Sequence, residues 1–361
     1  MPLIIALKSF SVNCLITISI LLFCFSAPGQ ASRYQVRTVA FYNLENLFDT
    51  IDDPKTFDED FTPSGKFKWT VKRYEEKIEN LAGVIAGIGY RVRKSAPDIL
   101  GICEVENYQT LSDLVNHTAL KPFDYGIIHK DGPDARGIDV ALIYRKASFI
   151  PVSIQAHRLV LLDKDRFIVP TRYQLVVHGF LEGMPLYLLV NHWPSRRGGE
   201  LRSRANRIAA AELNLKIIDS IRRIEPEPVI IGMGDFNDNP NDYSMKKVLR
   251  TKNEREEMGS TDLFNPMAYM FQKGKGSLAY RDSWSLFDQI YCSGNLINGE
   301  KPFRWWKVNI YDPPELKISR GLYKGYPLRT ITAGRYTGGF SDHFPVFGYL
   351  IKELKPLLGK D

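Results

Sequence analysis

The sequence predicts an α/β (α+β) fold, with strand-rich sheets covered on the outside by a few amphipathic helices. Three observations carry this. Apolar runs of strand length outnumber helical ones. Two segments, 69–88 and 202–224, place apolar residues at helical spacing. Both of these helices fall between groups of strands.

The chain begins with "MPLIIALKSFSVNCLITISILLFCFSAPGQAS". Lys8 precedes an apolar run to Phe25, and small residues follow, the order of a secretory signal peptide cut near Gly29–Ala31. A membrane anchor is the competing reading, but the run is shorter than a span needs and Asn13 interrupts it. Phe23 before Cys24 is bulky for a lipoprotein site. The expectation is a signal peptide over 1–31, one domain over 34–352 and a C-terminal tail over 353–361. The mature protein is expected to be exported, periplasmic or extracellular, monomeric and without stable membrane insertion.

"YQVRTVAFYNLENLF" opens with polar–apolar alternation and reads as a first strand ending at Asn43. A polar loop with "DDP" and "TPSGK" leads into the first helix, with Val71, Tyr74, Ile78, Leu81, Ile85 and Ile88 on one side. "DILGICEVEN" reads as a buried strand ending in acid. "DYGIIHK", "DVALIYR", "RYQLVVHGF" and "PLYLLVNHW" are four further strands, with "LEGMP" turning between the last two. The second helix carries Ile208, Leu213, Ile217 and Ile221 on one side. "PVIIGMGDFNDNP", "FDQIYCSG" and "HFPVFGYL" are late core strands, and 241–281 and 295–338 read as loop-rich. Neither repeats nor a linker divide the mature chain, which at roughly 330 residues is long enough to bury a core without staples.

Two of four cysteines, Cys14 and Cys24, fall in the leader. Cys103 and Cys292 sit in apolar runs, as buried thiols or as one disulfide; a cysteine-stapled scaffold is excluded. The formal charge of +7 is a mild excess that favours anionic substrates.

Five apolar strands stop at a residue able to bind a metal or move a proton: Asn43, Glu104, His192, Asp235 with Asn237, and Asp342 with His343. One such ending is ordinary turn chemistry; five suggest strand ends converging on one rim. Glu104 reads as a hard oxygen ligand or as a solvated carboxylate, with Glu106 as the weaker rival. Asp235 and Asn237, two apart, would point the same way on an extended chain and hold a water and a phosphoryl oxygen. Asp288 lies among apolar residues and needs a partner, either a histidine whose ring it fixes or an arginine. No HExxH motif, cysteine pair or histidine cluster at ligand spacing supports zinc, and neither a GxSxG elbow nor a Walker loop is present. "SRRGGELRSRANR" places five arginines within 196–207, as a polyanion-binding stretch with Arg196 and Arg197 foremost, or as a solvated loop and helix start.

In this order, "FYNLEN", "DILGICEVEN", "DVALIYR", "LLVNHWP", "GMGDFND", "FDQIYCS" and "FSDHFPVF" resemble the endonuclease/exonuclease/phosphatase superfamily, over nearly all of the mature chain. The "NHWPSRRGG" stretch looks most like its secreted bacterial branch. The resemblance implies a deoxyribonuclease I-like, four-layer αββα sandwich of two mostly antiparallel sheets. It implies a Mg²⁺ (or Mn²⁺, or Ca²⁺) ion on Glu104, with Asn43 and Asp342 nearby. Asp235 and Asn237 would handle the nucleophilic water, and Asp288 would orient His343. His192 would contact the scissile phosphate and assist the leaving group, with Asp139 as a candidate to orient it. The expected activity is metal-assisted phosphodiester hydrolysis, foremost of nucleic acid. The alternative is a phosphatase or phospholipase-type hydrolase of inositol phosphates or lipid headgroups. A binding module without activity is disfavoured by the complete acid, histidine and asparagine set. The tyrosine of the superfamily's apurinic-site branch and the signature of its inositol-phosphatase branch are both missing, which disfavours those two.

Overall fold

The computed structural model describes residues 33–256, 258–299 and 301–354. The expected signal peptide and most of the tail lie outside the described residues. The chain divides into two units, Gln35–Lys352 and a second made of Met1–Tyr34 with Glu353–Asp361. Of the second, only Arg33, Tyr34, Glu353 and Leu354 are described, as extended chain.

The main elements are, in chain order, β1 (Arg33–Leu47), α1 (Val71–Gly87), β2 (Ile99–Val105), α2 (Tyr108–Asn116), β3 (Tyr125–His129), β4 (Asp139–Arg145), β5 (Phe149–Arg158), β6 (Tyr173–Leu181), β7 (Met184–His192), α3 (Glu200–Ile224), β8 (Ile230–Asp235), β9 (Leu263–Phe264), β10 (Asp288–Ser293), β11 (Arg304–Ile310) and β12 (Val346–Leu354). They form two six-stranded sheets, ordered β11-β12-β1-β2-β4-β3 and β9-β10-β8-β7-β6-β5. β1 pairs with β2, and β7 with β8, in parallel, while β2–β4, β3–β4, β11–β12, β5–β6, β6–β7, β8–β10 and β9–β10 are antiparallel.

Strand alternation builds the layers. Val39 and Phe41 of β1 join Leu188, Val190, Ile231, Met233 and Ile290 in the core between the sheets. Ala40 and Tyr42, one residue out of phase, pack outward against Ile78, Leu81 and Ile85 of α1. On the other sheet Leu189 and Ile230 pack outward against Ala210, Ile217, Ile218 and Ile221 of α3. The fold is therefore αββα. Gly101 has a definite reason: a Cβ there would stand 2.6 Å from the Met233 sulfur, so the sheets close over β2 only because the residue has none.

The helices are capped as their sequences suggest. Thr70 opens α1, its side chain accepting from Arg73 N, and Asn107 opens α2, its Oδ1 2.9 Å from Thr110 N. Glu200 begins α3 and Arg222 and Arg223 end it, each sign at the favourable pole of the helix dipole.

Several elements depart from the sequence reading. Helix α2 is additional. Strands β5 and β11 are additional too, because their exposed apolar residues and Pro151 obscure the pattern. Strand β1 does not end at Asn43 but runs to Leu47, through left-handed backbone at Glu45 (φ 50°) and Asn46 (φ 53°). Cys103 and Cys292 are both free and buried. Among the described residues no helix is long and apolar enough to cross a membrane.

Candidate active site

The site is the next rung of the same ladder that builds the core. Along each central strand the inward residue two beyond the last apolar one is polar: Asn43 after Phe41, His192 after Val190, Asp235 after Met233. Strand β10 runs the opposite way, and Asp288 precedes Ile290. In register, Asp288 faces Asp235 and Asp235 faces His192 across one sheet. Asn43 faces Cys103 across the other. Asn43 Nδ2 joins the two sheets by donating to Asp235 Oδ2 at 3.2 Å.

Glu104 reaches this rung by another device. Plain alternation would send it outward, since Cys103 before it faces the inner core. A register shift between Cys103 and Val105, with Glu104 at φ 60°, turns its carboxylate into the cluster. Its Oε2 accepts from Asn46 N at 3.1 Å, and its Oε1 lies 3.8 Å from His192 Nε2. Glu106, the rival, accepts from Asp49 N at 2.6 Å on the neighbouring loop.

The two histidines are held in opposite states. Burial opposes charge on His343, but Asp288, at 2.6 Å from Nδ1, overcomes it with help from Asp342 and Asp235, and the ring is held well above its ordinary value. Asp288 is itself steadied by Ser277 Oγ, which donates to the same Oδ2 at 2.5 Å. Burial pushes His192 well below its ordinary value, and the charges of Arg172, Arg136 and His343 add to this. His192 Nδ1 has no hydrogen-bond partner among the described residues, and Nε2 stands 3.8 Å from Asp235 Oδ2. Asp139 does not orient His192, since it pairs with His129 at 3.1 Å and accepts from Gly132 N at 2.9 Å.

Between the histidines stands Asp235. Burial pushes it up to about 7; cationic His343 works against this, while Asp288 and Glu104 add to it. Asn237 does not share its direction by alternation, because the backbone there turns left-handed (φ 51°). Instead Asn237 N donates to Asp235 Oδ1 at 3.0 Å, and its Nδ2 donates to the Trp193 carbonyl at 3.0 Å. The same carbonyl accepts from Arg172 Nη2 at 2.7 Å, so one oxygen anchors the loop ends of β7 and β8.

Asp342 lies beside His343, with Oδ1 4.0 Å from His343 Nε2, and its Oδ2 accepts from Arg329 at 2.9 Å. Arg329 also binds Glu45 Oε1 at 3.0 Å, and Glu45 Oε2 accepts from Thr330 N at 2.7 Å. Beneath them Lys77, fully buried, donates to Thr330 Oγ1 and, at 2.6 Å, to the Phe340 carbonyl. Burial lowers its ammonium to about 8 against the pull of Glu45 and Asp342.

Arg196, expected to meet a substrate, is engaged within the fold. Its guanidinium donates to the Asn237 carbonyl at 2.8 Å, to Asp238 at 2.9 Å and to Asp242 at 2.5 Å, and packs over Phe287. It braces the loop after β8. Arg197 is exposed.

Sequence reasoning missed Ser277, Glu45, Lys77, Arg172 and Arg329. Of these, only Lys77 carries a signal, as a lysine in the apolar stripe of α1 beside Ile78 and Leu81.

A family model described as "Endonuclease/Exonuclease/phosphatase family" matches residues 38–352. The chain belongs to this family. No curated protein matches it by sequence. Solved structures share the family's fold with it. D. rerio TDP2 complexed with a single-strand DNA product superposes with a TM-score of 0.53 at 13% identity, over 88% of this chain and 99% of that one. An endonuclease/exonuclease/phosphatase family protein from Bacteroides thetaiotaomicron gives 0.52 at 18% identity, over 89% and 100%. A mannosyl-6-phosphatase from Bacteroides thetaiotaomicron VPI-5482 gives 0.51 at 17% identity, over 87% and 99%. Family membership makes the protein a hydrolase of phosphate esters. The buried acid and histidine groups, Asp235, Asp288 and His343 among them, are close enough together to hold a metal ion.

Proposed function

We propose that the protein is an exported, divalent-metal-dependent phosphodiesterase acting on nucleic acid. One observation carries the chemistry: the Oδ2 of buried Asp235 stands 3.8 Å from His192 Nε2 and 4.0 Å from His343 Nε2, the first ring held below and the second above its ordinary value. Glu104 and Asp342 offer carboxylate oxygens at the mouth, Asn43 lies behind them, and Asp288 Oδ1 is buried without a partner. This oxygen-rich set suits a hard cation such as Mg²⁺ or Mn²⁺, with Ca²⁺ as a poorer fit. When bound, the ion supplies charge relief at the phosphoryl oxygens.

The remaining work falls to the chain's own side chains. Asp235 Oδ2 accepts the proton of the attacking water, and its value near 7 suits a base at neutral pH. The Asn237 N–H holds the other Asp235 oxygen and fixes the carboxylate plane. His343, kept cationic by Asp288, stabilises the charge that builds on the phosphate. A neutral His192 donates an N–H hydrogen bond to a phosphoryl oxygen. That is a narrower role than leaving-group acid, because a ring held neutral has no spare proton to give.

The nuclease reading is supported by the basic charge of +7 and by likeness to a fold that elsewhere holds single-strand DNA. A phosphomonoesterase is the second reading. It is favoured by the commitment of Arg196 to Asp238 and Asp242, which removes one cation from a polyanion track, and by likeness to a mannosyl-6-phosphatase. The test is turnover of plasmid DNA, single-stranded RNA, bis-p-nitrophenyl phosphate and sugar or inositol monophosphates, each with Mg²⁺, Mn²⁺ or EDTA. Hydrolysis of diesters is expected; cleavage confined to monoesters overturns the nuclease reading.

A further inference from the structure

Spacing along the sequence argues against zinc, yet folding assembles a sulfur, nitrogen and oxygen donor set from three strands. Cys103 of β2, His192 of β7 and Asp235 of β8 place one ligand atom each within 4.8 Å of the others. All three residues are buried. Cys103 holds the inward position on β2 that Asn43 holds on β1, so its sulfur forms the floor of the catalytic rung. His192, only 5% exposed, makes no hydrogen bond with Nδ1 among the described residues, and its Nε2 stands 3.8 Å from carboxylate oxygens of Glu104 and Asp235. A buried imidazole left in this way is ready to be a ligand.

We propose that Cys103, His192 and Asp235 form a site for a borderline-soft divalent cation of the zinc type, and that its occupancy shuts off phosphoester hydrolysis. Donors around tetrahedral zinc stand about 3.3–3.8 Å apart, given the metal–ligand lengths. The His192–Asp235 pair is already at 3.8 Å, so a small closure of the sulfur completes three ligands. Glu104 Oε1, 3.8 Å from His192 Nε2, or a water would supply the fourth ligand. On binding, the Cys103 thiol gives its proton to solvent and the sulfur binds as thiolate. Zinc and the hard cation then make incompatible demands on Asp235. Magnesium held by Glu104 and Asp342 would leave Asp235 free to act as the base; zinc binding would take Asp235 and His192 out of the reaction. Thiolate selects against magnesium, so the site distinguishes the two ions by chemistry rather than by size.

The closure of activity rests on the hydrolase reading above; the binding does not. The full-length protein is titrated with Co²⁺ or Cd²⁺ and followed by thiolate-to-metal charge-transfer absorption. The same titration is run on Cys103→Ser, Cys103→Ala and Cys292→Ser, each checked by thermal melting. The expected result is a band at one equivalent that survives Cys292→Ser and disappears in both Cys103 variants. Zinc inhibition of magnesium-supported turnover should weaken at least about 10-fold in the Cys103 variant that retains turnover, since even an outer partner of a ligand is worth that much. Absence of the band, or its persistence without Cys103, overturns the site whatever the enzyme's activity. A Cys103-dependent band with turnover undiminished by zinc overturns the closure.

Discussion

His343 Nδ1 lies 2.6 Å from Asp288 Oδ2, and this contact decides which edge of the ring reaches Asp235. The other nitrogen, Nε2, then stands 4.0 Å from Asp235 Oδ2, within reach of a shared phosphate or water. Replacing Asp288 with Asn keeps the shape but removes the charge that holds His343 up. Turnover is expected to fall about 10²–10⁴-fold, the worth of a positioned acid or base. The alkaline limb of kcat/KM against pH should move to lower pH, and a variant profile with the parent's alkaline limb would sink the assignment.

The same pair has a stability signature. His343 binds its proton more tightly folded than unfolded. The pair's contribution is therefore complete below the unfolded value and is lost as pH rises through the folded one. Asp288→Asn should cost about 3 kcal/mol near pH 6, as expected for breaking a buried pair. Denaturant melts should show that deficit narrowing as pH climbs through the alkaline range.

His192 tests the distinction between donating a hydrogen bond and donating a proton. His192→Gln retains an N–H donor and His192→Ala does not. The alanine variant should lose about 10²–10³ in kcat, the cost of one donor at a charged transition state, and the glutamine variant markedly less. Equal losses would show that the imidazole gives up a proton after all.

Arg196 and Arg197 are adjacent but should fail differently. Arg196→Ala is expected to lower stability by about 1–3 kcal/mol through the loop that carries Asn237, because its hydrogen bonds go to charged or buried acceptors. Arg197→Ala should leave the melting point unchanged. It should instead reduce the salt dependence of nucleic-acid binding by about one unit of slope, as loss of one phosphate contact does.

Lys77 is the distant support of the rim. Lys77→Met takes the ammonium away from Thr330 Oγ1 and from the Phe340 carbonyl, which keeps only Thr330 Oγ1 at 3.3 Å, at a cost of about 1–3 kcal/mol. Since Thr330 and Arg329 hold Glu45 and Asp342, the half-saturating Mg²⁺ concentration should rise as well. Unchanged metal demand would separate Lys77 from the site.

The rungs Asn43, His192 and Asp235 are legible because each follows an apolar run, and a hydrophobic row that stops at a polar residue leaves a mark in one dimension; Asp288 is legible as an acid set among apolar residues. Glu104 needs more than alternation to reach the cluster. Alternation lets only one of Cys103 and Glu104 face the site, and the left-handed bulge admits both. The commitment of Arg196 was invisible, because its partners lie about forty residues on. Lys77 and Phe340, 263 residues apart, meet only after both sheets have formed. Strands β5 and β11 escaped notice for another reason: edge positions leave much of their length exposed, so their burial pattern is weak.

Each reactive group is thus one pleat beyond an interior side chain: Asn43 beyond Phe41, His192 beyond Val190, Asp235 beyond Met233. The interior acts as a levelling surface for the chemistry. Gly101 leaves room for the Met233 side chain over β2, one inward position before Cys103 and Asp235. A change of volume there would tilt Asp235 against Asn43 without touching either residue. Changes in the loops around the mouth would alter what is admitted and leave the reactive heights alone. The heights of Asn43, His192 and Asp235 are therefore set by the interior, apart from the loops that hold Asn237 and Asp342.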